Sequence, residues 1–304
     1  MRTVRQVDAG DLSVGLWDEG PRDGPAVVLL HGFPYDIHAY EAVTDRLVER
    51  GCRVLVPFLR GYGSTRFLAA DTLRSGEQAV LGADLRALMD ALRIESAVLA
   101  GYDWGGRAAC VVAAAWPERC AGLVSCNGYN LLHPPDAMAP DEPANEARYW
   151  YQFYLHGERG RRGLEQHRQA MAKLLWQMWS PRWPFTEADF LRSAAAFDNP
   201  DFVEVVVHSY RHRYGLVPGD ARFLDLEAQL LTRPVIQVPT ILLDGLADGV
   251  AVEPDTRSHA RHFARLVRHE RVVGVGHNFP QECPSVFAAA VMDLVEAAAR
   301  ERQV

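Results

Sequence analysis

Gly101-Tyr102-Asp103-Trp104-Gly105 sets a carboxylate between two glycines, at the point where the apolar run Ala97 to Ala100 gives way to an alanine-rich stretch of helical character. Glycine, any residue, nucleophile, any residue, glycine is the pattern of a tight turn from a strand into a helix. Such a turn forces its central residue into strained backbone geometry, and the flanking glycines carry no Cβ to clash there. The helix that follows aims its N-terminus at the same place. A carboxylate in that position needs no base to activate it. It can attack an sp³ carbon and form an alkyl ester, which is what opening an epoxide or displacing a halide requires. An aspartate would also serve as a plain helix N-cap; the glycines on both sides and the partners further along the chain favour the nucleophile.

An ester on Asp103 must then be hydrolysed, which needs a base to activate water and an acid to orient that base. His277, in the stretch Val273 to Pro280, follows the last apolar run of strand character and is the candidate base. Asp248, five residues beyond the run Val238 to Leu243, is the candidate acid, with Asp244 its competitor at the strand end. The order Asp103, Asp248, His277 is nucleophile, acid, base. His31-Gly32-Phe33-Pro34 follows the apolar run Ala26 to Leu30. The backbone N–H groups of Phe33 and Trp104 are expected to converge on the oxyanion formed when water attacks the ester, with His31 bracing the loop.

These residues need a scaffold that sets them at one edge of a sheet. The chain alternates strand and helix: strands at Thr3 to Val7 and Leu12 to Asp18, then Ala26 to Leu30, a helix at Ala39 to Arg50, and a strand at Cys52 to Pro57. A helix at Ser75 to Arg93, the Ala97 strand, a helix at Gly105 to Trp116 and a strand at Cys120 to Asn127 complete the first part. Continuous apolar strands separated by amphipathic helices predict a mostly parallel central sheet with helices on both faces. The rhythm breaks from Gly128 to Asp225, where helical stretches rich in Trp and Tyr predict an inserted lid. It resumes with a strand at Val238 to Asp244, a helix at about Glu253 to Leu266, a strand at Arg271 to Val275 and a last helix from Pro284. The expected division is residues 1–127 core, 128–225 lid and 226–304 core.

The 304 residues are enough for such a domain, and a net charge of −7 argues against a nucleic-acid partner. The N-terminal stretch has no apolar signal segment, and no run is long enough to span a bilayer, so no membrane partner is expected. Five cysteines without C-x-x-C spacing read as free thiols of a cytoplasmic protein. No cluster has metal-ligand spacing, and the chemistry above calls for no cofactor. A homodimer is compatible with the sequence.

Together, the HGFP loop, the Gly101–Gly106 elbow, the loop Arg60 to Thr65 and the Gly276–Pro280 histidine resemble the aspartate-nucleophile α/β-hydrolases: soluble epoxide hydrolases, haloalkane dehalogenases and haloacetate dehalogenases. The resemblance covers essentially the whole chain and is weaker in the lid. It implies an α/β-hydrolase fold. It also implies an epoxide hydrolase in which two lid tyrosines donate hydrogen bonds to the epoxide oxygen. Tyr151, in Trp150 to Leu155, and Tyr210, in His208 to Arg213, match by context; Tyr154 and Tyr214 are the neighbouring alternatives. Trp150, Trp176, Trp179 and Trp183 imply an apolar pocket for a small, apolar epoxide, with Phe33, Trp104 and Trp150 touching it. The haloacetate dehalogenases share an arginine at Arg107, where it binds a substrate carboxylate. That family also carries an arginine where Trp104 stands, and Arg107 also reads as paired with a core carboxylate. The haloalkane enzymes place a halide donor where Phe33 stands, and many place the acid where Asn127 stands. A binding protein on the same scaffold would be expected to have lost a triad member, and none is lost.

Overall fold

The protein is described here by a computed structural model covering residues 2–250 and 259–301. Its strands are β1 (Arg5–Ala9), β2 (Leu12–Glu19), β3 (Ala26–Leu30), β4 (Arg53–Pro57), β5 (Arg66–Phe67), β6 (Ala97–Gly101), β7 (Cys120–Cys126), β8 (Thr240–Gly245) and β9 (Leu266–Val272). They form one sheet in the spatial order β1-β2-β4-β3-β6-β7-β8-β9, with β5 paired to β2. β1 and β2 are antiparallel to their neighbours, and every pair from β4 to β9 is parallel. Every residue of β4 and β6 is buried. A strand covered on both faces has no polar alternation to show, which is why these segments read as unbroken apolar runs.

Helices α1 (Glu41–Glu49), α2 (Gln78–Ala91) and α3 (Asp103–Ala115) and the C-terminal helix Pro284–Glu301 cover the sheet. α2 packs on α3, and α1 packs on the C-terminal helix. α3 begins at Asp103 and not at the expected Gly105. Gly101 ends β6 and Gly105 lies in the first turn of α3, and their role is close approach: a Cβ on Gly105 would stand 1.9 Å from the Leu30 carbonyl oxygen.

Two expectations near the end of the chain need correction. The last strand is Leu266–Val272 and not Arg271 to Val275. It is the edge strand of the sheet and half-exposed, so its Arg268, His269 and Glu270 hide it from a search for apolar runs. Of the helix expected at about Glu253 to Leu266, residues 251–258 lie outside the described residues, and Leu266 itself opens β9.

The chain between β7 and β8 is helical: α4 (Pro134–Ala137), α5 (Pro143–Arg148), α6 (Trp150–His156), α7 (Glu158–Trp179), α8 (Glu187–Ala194), α9 (Phe202–Arg213) and α10 (Leu224–Leu231). α10 packs on α2 and α3, so contact with the core resumes at the end of the expected lid span. Trp176 ties the insert down. Its indole N–H donates to the Pro34 carbonyl at 2.7 Å, and its ring stacks on Tyr35 and meets Trp183, Phe185 and Phe190. Trp176 thus packs insert against core, with Trp183 beside it.

The loop after β4 is held by Arg60, whose side chain is 1% exposed. Its Nε and Nη2 donate to the two carboxylate oxygens of Asp84 at 2.6 and 2.8 Å, and its Nη1 donates to Ser75. Removing one partner of such a pair leaves a buried uncompensated charge. Asp84→Ala is therefore expected to destabilise the fold by about 3–5 kcal/mol, read from the midpoint of chemical denaturation.

Candidate active site

β3 and β6 lie side by side in the sheet, so the loops at their C-terminal ends meet. Asp103 stands at the end of β6 with φ of 50°, in the left-handed region. Gly32, at the end of β3, faces it so closely that a Cβ there would lie 2.6 Å from the Asp103 Cβ. The Phe33 N–H donates to Asp103 Oδ1 at 2.8 Å. Trp104 is the second residue of α3, and no helical carbonyl reaches its N–H. Oδ1 thus occupies the donor pocket expected for the oxyanion, and Oδ2 is turned toward His277. His31 braces this loop as a neutral ring: Nε2 accepts from the Leu59 N–H at 3.1 Å and Nδ1 donates to the Gly32 carbonyl at 3.1 Å. Burial lowers its pKa to about 4.

His277 Nδ1 lies 2.7 Å from Asp248 Oδ2, and its Nε2 lies 3.9 Å from Asp103 Oδ2. Asp244 instead pairs with His269 on β9. The structure therefore brings Asp103, His277 and Asp248 into one row and directs Asp244 elsewhere. Asn127, at φ of 63°, donates from Nδ2 to Asp248 Oδ2 at 3.0 Å. It does not take the acid's place; it steadies the acid.

The charges in this row are tightly linked. Burial opposes ionisation of Asp103, but the adjacent His277 ring, Arg107 and the Phe33 N–H outweigh it and hold its pKa at about 2. Burial likewise works against a charged His277, yet Asp248 and Asp103 raise it to about 10. The resting row is carboxylate, imidazolium, carboxylate. Its contribution to stability through His277 is complete below the unfolded value of about 6.5 and is lost as pH rises toward 10.

The insert closes the site from above. Tyr151 on α6 and Tyr210 on α9 are 3% and 0% exposed, and their rings meet edge to face at 5.3 Å. Phe33 contacts both rings, and Trp104 contacts Tyr210 at 6.0 Å. The Tyr210 hydroxyl is buried without a partner. The Tyr151 oxygen accepts from Gln152 Nε2 at 3.0 Å, which leaves its own proton free to be donated. Burial raises the pKa of both phenols, so both are neutral donors. Tyr214 donates to Gln152 Oε1, and Tyr154 packs against Trp150; neither shares the cluster around Phe33. Trp150 stands behind Tyr151, its ring edge-on to it at 6.4 Å. Arg107 is buried and forms no ion pair among the described residues, so a pairing with a core carboxylate is not found.

Several participants carry no motif. Trp179, at the end of α7, meets His277, Tyr151 and Phe33 with its ring, and its indole N–H is buried without a partner. Its carbonyl accepts from the N–H groups of both His277 and Gly249. Ser180 Oγ accepts from the His277 N–H at 3.1 Å and donates to Glu282 at 2.6 Å, and Glu282 accepts from the Gly276 and Asn278 N–H groups. The loops bearing acid and base are therefore held by the insert. Among the described residues no cluster of His, Cys, Asp or Glu could hold a metal.

Replacing Asp103 by Asn removes one charge and keeps the shape. In that variant the His277 pKa, read by NMR titration of its ring, is expected to fall by about 1–3 pH units.

Comparison with known proteins places this geometry. The family profile of the alpha/beta hydrolase fold matches residues 25–282. The crystal structure of a "putative epoxide hydrolase" from Klebsiella pneumoniae is 45% identical, covers 97% of each chain and superposes with a TM-score of 0.95. Epoxide hydrolase B of Mycobacterium tuberculosis is 32% identical over 147 residues, 44% of this chain and 40% of that protein. A fluoroacetate dehalogenase of a Burkholderia species is 31% identical over 153 residues, 50% of this chain and 48% of that protein. The match spans half or less of the length of these two curated relatives. The chain belongs to the α/β-hydrolase fold family.

Proposed function

We propose that the protein is an epoxide hydrolase that turns an epoxide into a vicinal diol through an ester on Asp103. The observation that carries this reading is the pair of buried neutral phenols, Tyr151 and Tyr210, meeting over the Phe33–Asp103 loop. The names of the relatives support it. Tyr151 and Tyr210 donate to the epoxide oxygen while Asp103 Oδ2 attacks one ring carbon. The carbon–oxygen bond breaks, a phenol proton passes to the departing oxygen, and a hydroxyalkyl ester results.

Ester formation removes the negative charge that His277 faces. The imidazolium loses one of the two carboxylates that stabilise it, its pKa falls, and the proton it sheds restores the phenol through the product hydroxyl or solvent. Neutral His277, oriented by Asp248, then takes a proton from water at Nε2. Water attacks the Asp103 carbonyl carbon, Oδ1 carries the oxyanion against the Phe33 and Trp104 N–H groups, and the diol leaves with the proton from His277. Phe33, Trp104 and Trp179 supply aromatic faces for the rest of a small substrate. The five cysteines are all unpaired, which supports action in a reducing, cytoplasmic setting; among the described residues no helix is long and apolar enough to cross a membrane.

A second reading, displacement of halide from a haloacetate, is favoured by one observation. The indole N–H groups of Trp104 and Trp179 are both buried without a partner and could hold a leaving halide.

His277→Ala keeps the nucleophile and loses the base. Intact-protein mass after mixing it with epoxides is expected to rise by the full mass of the epoxide. A gain from a haloacetate alone, equal to its mass less hydrogen halide, would establish the second reading. Tyr151→Phe and Tyr210→Phe are each expected to lower kcat/KM for an epoxide on the order of 10²-fold, measured by diol formation, with the double variant slower than either.

A further inference from the structure

Two arginines beside the site form no close ion pair among the described residues, although the charges of Arg107 and Asp103 act on each other. Arg107 is 8% exposed and Arg213 is 9% exposed. Charged groups this deeply buried are normally paired, as Arg60 is with Asp84 and Arg53 with Asp18. Arg107 and Arg213 form no ion pair among the described residues, and the Nε of each is buried without a partner. Arg213 donates to a neutral acceptor, Gln152 Oε1, at 3.0 Å, and its guanidinium lies 4.9 Å from the centre of the Tyr210 ring. Burial, together with the charge of Arg213, lowers the Arg107 pKa to about 10, so the two cations feel each other.

Their positions relate them to the chemistry. Arg107 lies one helical turn along α3 from Asp103, and Arg213 lies three residues beyond Tyr210 on α9. Both line a narrow cavity with Glu77 and Glu227, neither of which forms an ion pair with them: Glu77 Oε1 accepts from the Asp220 N–H and its Oε2 lies 3.6 Å from His208, while Glu227 accepts from Gln78 and the Ala79 N–H. Arg213 and Gln152 also wall an open cavity of about 460 Å³ with Arg233, Arg261, His133 and His262; its one acid, Asp136, is paired with Arg233. In a chain of net charge −7, the arginines on this wall, Arg213, Arg233 and Arg261, outnumber its one acid.

We propose that the substrate is an epoxide bearing a carboxylate, received by Arg213 with Arg107 behind it. This rests on the epoxide reading above and replaces the expectation of an apolar substrate. Gln152 links the two ends of the substrate. It accepts from Arg213 and donates to the Tyr151 hydroxyl, so the group that reads the anion also orients the proton donor.

The test compares oxirane-2-carboxylate with its methyl ester, which differ in charge and share the reacting ring. The wild-type enzyme is expected to favour the acid in kcat/KM, chiefly through KM. Arg213→Gln is expected to lower the acid-to-ester ratio by about 10–100-fold, the worth of a charge-assisted hydrogen bond, and Arg213→Lys to retain part of it. A structural role would lower both substrates alike. Equal or better use of the ester by the wild-type enzyme, or an unchanged ratio in Arg213→Gln, overturns the proposal and leaves the epoxide reading standing. Should Arg213→Gln fail to fold, the wild-type ratio and Arg213→Lys decide. If His277→Ala gains mass from neither epoxide but does so from a haloacetate, the epoxide reading falls and this proposal with it.

Discussion

Everything at this site depends on one strained residue, Asp103, held at φ of 50° where the chain turns from β6 into α3. A non-glycine residue in that region costs on the order of 1–3 kcal/mol, so the surroundings must over-determine it. They do so by close approach. Gly101, Gly105 and Gly32 bring backbone within distances that a Cβ on any of them would forbid. Burial of Trp104 and of α3 against β6 and β7 offsets the strain. The result fixes Oδ1 on the Phe33 N–H and turns Oδ2 outward, so the two oxygens of one carboxylate acquire different roles before any substrate arrives.

The electrostatics follow from that placement. Two carboxylates on either side of His277 make it a cation, and a cation is no general base. The chemistry proposed for the first step removes this obstacle, because an ester at Asp103 is neutral. The base is thus made available when the covalent intermediate needs it. Asp248 is held by Asn127 Nδ2 and the Val250 N–H and keeps its hydrogen bond to the ring.

The helical insert is more than a cover. Its α6 and α9 supply the phenols, and the end of α7 supplies the Trp179 carbonyl and the Ser180 hydroxyl that hold the backbone of the acid and base loops. Trp176 anchors the same helix to the loop that donates the Phe33 N–H. Seating of the insert and alignment of the catalytic row are therefore coupled through α7, which contacts both.

The sequence by itself determined what short-range chemistry encodes. The elbow, the HGFP loop and the order of nucleophile, acid and base are legible because a tight turn demands glycine and a buried parallel strand demands an apolar run. The edge strand Leu266–Val272 escaped that logic because one side of it meets water. What only the tertiary structure decided is which groups meet. Asp244 and Asp248 are near neighbours in sequence and look alike, and the pairing of one with His269 and the other with His277 settles their difference. Ser180, Glu282, Trp179 and Gln152 belong to no motif; they act through backbone contacts and long-range packing that leave no local pattern. Arg107 and Arg213 stand 106 positions apart in the chain, each an ordinary helical arginine when read alone. Only the fold buries both beside the same site with no close ion pair among the described residues, because burial and pairing are properties of the packed chain and not of its order.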